Sequence, residues 1–226
     1  MSDEPKVLPM TMTVNSLEIP MTISEAIIHR ESEPIPGSTP GTDVIWNAYI
    51  TRTLESVNSS MIPNEMTELF EYLFQYNSEL YSVSLTNVTS VGAYCFYHCG
   101  IEELNLPNLV SAGTRAFSEN PIYDVWLPNL ITLSSQVFQD CKNLSSATFD
   151  SVQSIGARAF YGCTNLSDLT LKANSVVMLS AVNALEGTAI ASSSGHIYVP
   201  ESVLYLYQLS ESWSEYVTRF LPIQEA

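Results

Sequence analysis

Basic residues are scarce. The chain carries 8 Lys and Arg against 24 Asp and Glu, a formal net charge of −16 over 226 residues. Binding to nucleic acid or to an anionic bilayer draws most of its affinity from Lys and Arg neutralising phosphates, so neither is an expected partner. No run of about eighteen apolar residues exists to cross a bilayer. The opening Met1-Ser-Asp-Glu-Pro-Lys6 lacks the basic and then apolar regions of a secretory signal. Export by that route is therefore not expected unless a signal has been trimmed away. The four cysteines, Cys95, Cys99, Cys141 and Cys163, are too sparse to staple a chain of this length, and reduced thiols are expected. Histidine is equally thin, at His29, His98 and His196, which leaves few convergent titratable groups for an enzyme. His98 and Cys99 are adjacent, but a Cys-His nucleophile needs side chains aimed at each other by a third group, and sequence neighbours generally point apart. Phosphate-binding glycine loops, HExxH and Gly-x-Ser-x-Gly are all missing. No catalytic residue, cofactor or metal site is expected.

What is present is a period. Hydrophobic residues make up 46% of the chain, enough for a core. Segments open at Leu80, Ile101, Ile122, Leu144 and Leu166, spaced by 21, 21, 22 and 22 residues, each with apolar positions one, four and six. The triplets are Leu80/Val83/Leu85, Ile101/Leu104/Leu106, Ile122/Val125/Leu127, Leu144/Ala147/Phe149 and Leu166/Leu169/Leu171. A second anchor, Phe96, Phe117, Phe138 and Phe160, keeps step with them. Alternation at positions four and six predicts a short strand, and Gly92, Gly113 and Gly156 predict a turn before the Phe segment. One copy cannot bury its own face, so the copies must stack, with strands about 4.8 Å apart and the Leu and Phe side chains in one continuous core. Cys99, Cys141 and Cys163 share one repeat position, but Asn120 holds it in the intervening copy. Cys99 and Cys141 should then stand about 9.6 Å apart, too far to share a zinc. Small semi-polar side chains in a crowded buried turn explain the position instead.

The segment Ile155-Gly-Ala-Arg-Ala-Phe-Tyr-Gly-Cys-Thr-Asn-Leu166 resembles the IGxxAFxxCxxL unit of BspA-like (Treponema-type) leucine-rich repeats, and the resemblance runs closely over Leu80 to Leu171. It implies an α/β solenoid and a non-enzymatic binding or structural protein. Residues 42–79 then read as a diverged N-terminal cap repeat and 80–190 as the repeats proper, with Ala184-Leu185 standing in for the Ala-Phe pair. Residues 191–226 read as a C-terminal cap: a strand at Ile197-Tyr-Val, a Pro200 turn and an amphipathic helix from about Glu201 to Tyr216. Positions two, three and five of each strand segment should face outward. Among them Tyr81, Tyr123 and Trp126, with Glu102, Glu103 and Asp124, form the candidate binding face. Trp126 also reads as simple cover over neighbouring Thr148 and Asn105.

Residues 1–41 lie outside the period. Met10, Met12 and Val14, then Leu17 and Ile19, alternate with polar residues as two strands would, with Asn15-Ser16 as the turn. The Pro/Gly-rich stretch from Glu33 to Gly41 has the composition of a linker. Such an arm either adds to a sheet on another subunit, making it an assembly element, or packs back as an extra cap. Ser16 to Ile23 resembles short leaders on BspA-like proteins encoded by phages of gut Firmicutes. That implies a virion subunit (tail, receptor-binding or capsid-decorating) assembled in the bacterial cytoplasm. The alternative is a bacterial surface or secreted adhesin. Expected partners are protein (other virion subunits or a host surface protein) or glycan, with self-association through the arm and no membrane insertion.

Overall fold

The computed structural model describes residues 10–14, 17–21, 54–62, 66–192 and 194–224. Strands β1 (Met10–Val14) and β2 (Leu17–Met21) form an antiparallel ribbon, so the two expected strands are present and the second runs two residues further. The Glu33 to Gly41 linker lies outside the described residues.

Each copy contributes two strands. The longer ones are β3 (Ser56–Asn58), β5 (Ser82–Ser84), β7 (Glu103–Asn105), β9 (Asp124–Trp126), β11 (Ser146–Phe149), β13 (Asp168–Leu171) and β15 (His196–Val199). A second set is only two residues long each: β4 (Glu68–Leu69), β6 (Ser90–Val91), β8 (Ser111–Ala112), β10 (Thr132–Leu133), β12 (Ser154–Ile155) and β14 (Met178–Leu179). This set builds a continuous six-stranded parallel sheet in the order β14-β12-β10-β8-β6-β4. The long strands also pair in parallel and in register, so that Val83 meets Val57 and Leu104, and Leu169 meets Ala147 and Ile197. Registered pairing puts apolar residue on apolar residue along the stack, the condition for a single core in a repeat protein.

The long-strand ladder has one break. The strands β3-β5-β7 form one sheet, and β9-β11-β13-β15 form another with the final strand β16 (Phe220–Pro222). Glu103 and Asp124 hold corresponding positions on the two sides of the break, and like charges facing each other across strands are unfavourable. Leu104, expected in the core, is only partly buried there.

Inside, the expected phenylalanine ladder is complete and gains a member. Phe74, Phe96, Phe117, Phe138 and Phe160 are fully buried, with successive ring centroids 5.0, 5.6, 5.4 and 5.7 Å apart and the rings nearly parallel. The turn around them is not made as the sequence suggested. Gly92, Gly113 and Gly156 do not take a left-handed conformation. They are needed for space, because a Cβ would come within 2.6 Å of Glu71 N at Gly92 and within 2.4 Å of Ala93 N at Gly113. The left-handed positions belong instead to Tyr72, Tyr94, Arg115, Gln136 and Arg158, and four residues later to Tyr76, His98, Glu119, Asp140 and Gly162.

The C-terminal cap departs from the single helix expected over Glu201 to Tyr216. Helix α1 (Glu201–Leu209) stops at Ser210, and a 3-10 helix (Glu211–Arg219) follows. Ser210 has an extended backbone, which ends the helix, and its hydroxyl meets that of Ser212 at 3.0 Å. The interruption brings two aromatic side chains to the last copy. Tyr207 Oη accepts from Val177 N–H at 3.0 Å, and Trp213 Nε1 donates to Val177 C=O at 2.7 Å. Backbone groups that no further repeat would satisfy are thereby paired.

Candidate binding faces

Three columns of side chains project from the long strands. The sequence-predicted residues come together on this face: Tyr81, Tyr123 and Trp126 are 51%, 51% and 56% exposed, and Glu102, Glu103 and Asp124 are exposed between them. Asp124 Oδ1 accepts from Ser146 Oγ at 2.6 Å and from Ser145 Oγ at 3.3 Å, which fixes the carboxylate. Trp126 pairs with Thr148 in register on one side, and on the other it lies across the ladder break from β7, the strand that carries Asn105. Further along, Asp168 draws a hydrogen bond from Ser167 Oγ at 2.6 Å. Burial, and then a hydrogen bond to Asp168, push the Tyr198 hydroxyl above its ordinary pKa. No Lys or Arg occupies an outer position of β3 to β15 among the described residues. The face is acidic and aromatic, suited to a neutral or cationic partner.

The turn face carries the network that sequence reasoning missed. Tyr72 stacks on Tyr94 at 5.2 Å, and Tyr97 meets both Tyr76 and Tyr94 edge-on. Tyr97 Oη donates to Glu119 Oε1 at 2.7 Å, and His98 Nδ1 lies 2.9 Å from Glu119 Oε2. Burial acts to raise the Glu119 carboxyl, but hydrogen bonds from Tyr97 and His98 outweigh it and hold the group below its ordinary pKa. The partner hydroxyl of Tyr97 is pushed up to about 12. Five of these side chains grow from left-handed backbone, at Tyr72, Tyr76, Tyr94, His98 and Glu119. Such residues lack the usual Gly or Asn signature of that conformation.

Beneath the turn, the shared Cys position has a defined task. Cys99 Sγ donates to Phe74 C=O at 2.9 Å, Cys141 Sγ to Phe117 C=O at 3.2 Å and Cys163 Sγ to Phe138 C=O at 3.0 Å. In the intervening copy Asn120 Nδ2 donates to Phe96 C=O at 2.7 Å. Thiol and amide thus serve the same acceptor, the phenylalanine carbonyl of the preceding copy. Burial pushes the Cys141 thiol up to about 12 and raises Cys163 well above its ordinary value, so both remain neutral donors. His98 and Cys99 turn to different partners, Glu119 and Phe74, and form no dyad. Among the described residues, no group of three or more His, Cys, Asp or Glu side chains could hold a metal ion, and no helix is long and apolar enough to cross a membrane.

On the arm, the register pairs Met10 with Met21, Met12 with Ile19 and Val14 with Leu17.

Compared with known proteins, the chain matches a family model described as the BspA type leucine rich repeat region, in six copies over residues 48–123 and 89–206. No curated protein matches it. Among solved structures it is similar to a leucine rich cell surface protein from Faecalibacterium prausnitzii A2-165, at 18% identity and a TM-score of 0.35. That match covers 78% of this chain and 61% of the other, so the chain spans less than two thirds of that protein's length.

Proposed function

The chain belongs to the BspA-type leucine-rich repeat family, and on that premise we propose that it is a non-enzymatic binding protein whose ligand lies across the outer face of the long strands. One observation carries this reading. Positions that the repeat does not need for its core hold Tyr81, Tyr123 and Trp126, each more than half exposed, beside Glu102, Glu103 and Asp124. Rigid aromatics supply contact area at low entropic cost, and they are enriched where interfaces concentrate their energy. The carboxylates, with no cation among them, favour a protein surface bearing Lys or Arg, or a neutral glycan. The setting favoured is a phage virion, as a tail, receptor-binding or capsid-decorating subunit, because an N-terminal β ribbon such as β1–β2 outside the repeats suits attachment to another chain. A bacterial cell-surface adhesin would use the same strand face.

The test arrays surface proteins and glycans against the intact chain and a Tyr81→Ala/Tyr123→Ala/Trp126→Ala variant. Ligands that bind through this face should lose at least about thirtyfold in affinity, the size of an interface hot spot. Ligands that bind both proteins alike would reject the strand face as the site. Copurification of the intact chain with virions, and its loss when residues 1–41 are deleted, supports the virion setting; recovery with the cell envelope alone supports the adhesin.

A further inference from the structure

The outer face of the long strands has an order along the stack as well as across it. In the second position of successive copies stand Glu55, Tyr81, Glu102 and Tyr123, an alternation of carboxylate and phenol, and all four are exposed. Backbone hydrogen bonds tie the first three into one column: Tyr81 N–H donates to Glu55 C=O at 2.8 Å, and Glu102 N–H to Tyr81 C=O at 2.9 Å. Tyr123 continues the column beside β9, which stays next to β7 across the ladder break. In the neighbouring column Asp124 accepts from two serine hydroxyls and Glu103 from Ser82 Oγ at 3.4 Å. Glu55 and Glu102 differ from them. Neither ion pair between described residues, His98 with Glu119 and Lys172 with Asp150, involves them.

Charge and spacing together select the partner. Carboxylates only accept hydrogen bonds and the side chains of Lys and Arg only donate them, whereas a neutral sugar draws nothing from the −16 charge of the chain. Of the two cations arginine fits better, because a guanidinium stacks on an aromatic ring and forks to a carboxylate. Equivalent positions in the column recur every two strands, about 9.6 Å. An extended β strand presents the same side about every 6.6 to 6.8 Å, and two turns of α-helix take about 10.8 Å. A polyproline II segment has three residues per turn and rises about 3.1 Å per residue, so its like-facing side chains recur about every 9.3 Å. Such segments are ordered before they bind and dock on aromatic-lined surfaces.

We propose that the ligand of the strand face is a basic protein segment in the polyproline II conformation, with arginines three residues apart, lying across the strands along this column. One arginine meets Tyr81 between the carboxylates of Glu55 and Glu102. The next meets Tyr123, with Glu102 on one side and Asp124 in the adjoining column. The proposal rests on the strand-face reading above and narrows its partner from a protein or glycan to one class of peptide.

Two capped peptides of identical composition read the spacing: Pro-Arg-Pro-Pro-Arg-Pro, with the arginines three residues apart, and Pro-Pro-Arg-Arg-Pro-Pro, with them adjacent. Each is titrated to millimolar concentration into the full-length chain and followed by backbone amide NMR shifts. The same titrations use Glu55→Gln/Glu102→Gln and Tyr81→Ala/Tyr123→Ala variants, whose thermal transitions check that each keeps its fold. The first peptide should bind the intact chain at least about tenfold more tightly than the second, shift the amides of residues 55, 81, 102 and 123, and weaken as salt is raised. Either variant should bring it down to the level of the second peptide. No shift at those residues, equal binding of the two peptides, or binding that the glutamine variant leaves unchanged would overturn the proposal. A glycan that loses affinity with Tyr81→Ala/Tyr123→Ala/Trp126→Ala but not with Glu55→Gln/Glu102→Gln would also overturn it, while leaving the strand face as the binding site.

Discussion

At the scale of single residues, the position three after each ladder phenylalanine shows how a repeat tolerates different side chains for one physical task. Cys99, Asn120, Cys141 and Cys163 all donate to the phenylalanine carbonyl of the copy before, at Phe74 and Phe138 as a second donor beside the backbone N–H of Asn77 and of Cys141. Phe117 C=O also accepts from Asn120 Nδ2 at 2.9 Å, so Cys141→Ala removes one of its two donors rather than orphaning it. The substitution should destabilise by about 0.5 to 1.5 kcal/mol, the net worth of one hydrogen bond, whereas Cys141→Ser, which keeps a donor, should cost measurably less. Urea unfolding of the three proteins decides it: equal losses for Ala and Ser would mean that the thiol acts through volume alone. The position was half legible in sequence. Its smallness and burial follow from the Cys/Asn alternation, but its acceptor does not, because the carbonyl it serves is more than twenty residues away and becomes its neighbour only through stacking.

At the scale of elements, the phenylalanine turn and the two strands flanking it are the unit that repeats. Phe138 lies between Phe117 and Phe160, at 5.4 and 5.7 Å, with no exposed surface. Phe138→Ala should cost about 3 to 5 kcal/mol. Because stability in stacked repeats is shared between neighbours, hydrogen exchange should quicken in β10 and β12 as well as around the substitution; protection lost at residue 138 alone would contradict a shared core. The long strands could be read from the sequence because apolar positions four and six alternate over several residues. The two-residue strands such as Ser90–Val91 could not, since two residues contain no alternation to detect. The turns misled for a different reason. Glycine signals left-handed backbone, yet Gly92 and Gly113 are there for close approach, and Tyr94, Arg115 and Gln136 take the left-handed positions. The break between β7 and β9 was equally hidden, although Glu103 and Asp124 are plain in the sequence, because their being opposite each other depends on register.

For the molecule as a whole, the −16 charge and the buried proton donors set opposite ends of one pH profile. Cys141, Tyr207 and Tyr216 are all pushed up to about 12, in each case chiefly by burial, and Tyr97 reaches about 12 first through its hydrogen bond to Glu119 and then through burial. In the unfolded chain, thiols lose their protons near pH 8.5 and phenols near pH 10. Between those values and about pH 12 the unfolded state binds fewer protons than the folded one, so the slope of stability against pH is negative. The folded protein keeps the donors neutral, but it pays progressively for doing so as the solution becomes alkaline. Repulsion among the excess carboxylates is already complete by neutral pH and adds no further slope there, so the alkaline loss reports the buried donors. Thermal unfolding should therefore hold a plateau from about pH 7 to 8 and fall steeply above about pH 9. Tyr207→Phe, which removes an ionisable hydroxyl but also the acceptor for Val177 N–H, should start from a lower plateau and fall less steeply. A transition midpoint that stays flat to pH 11, or a Tyr207→Phe curve parallel to that of the intact chain, would show that the cap and the cysteine column are open to water, and so that the last copy is not closed by Tyr207 and Trp213.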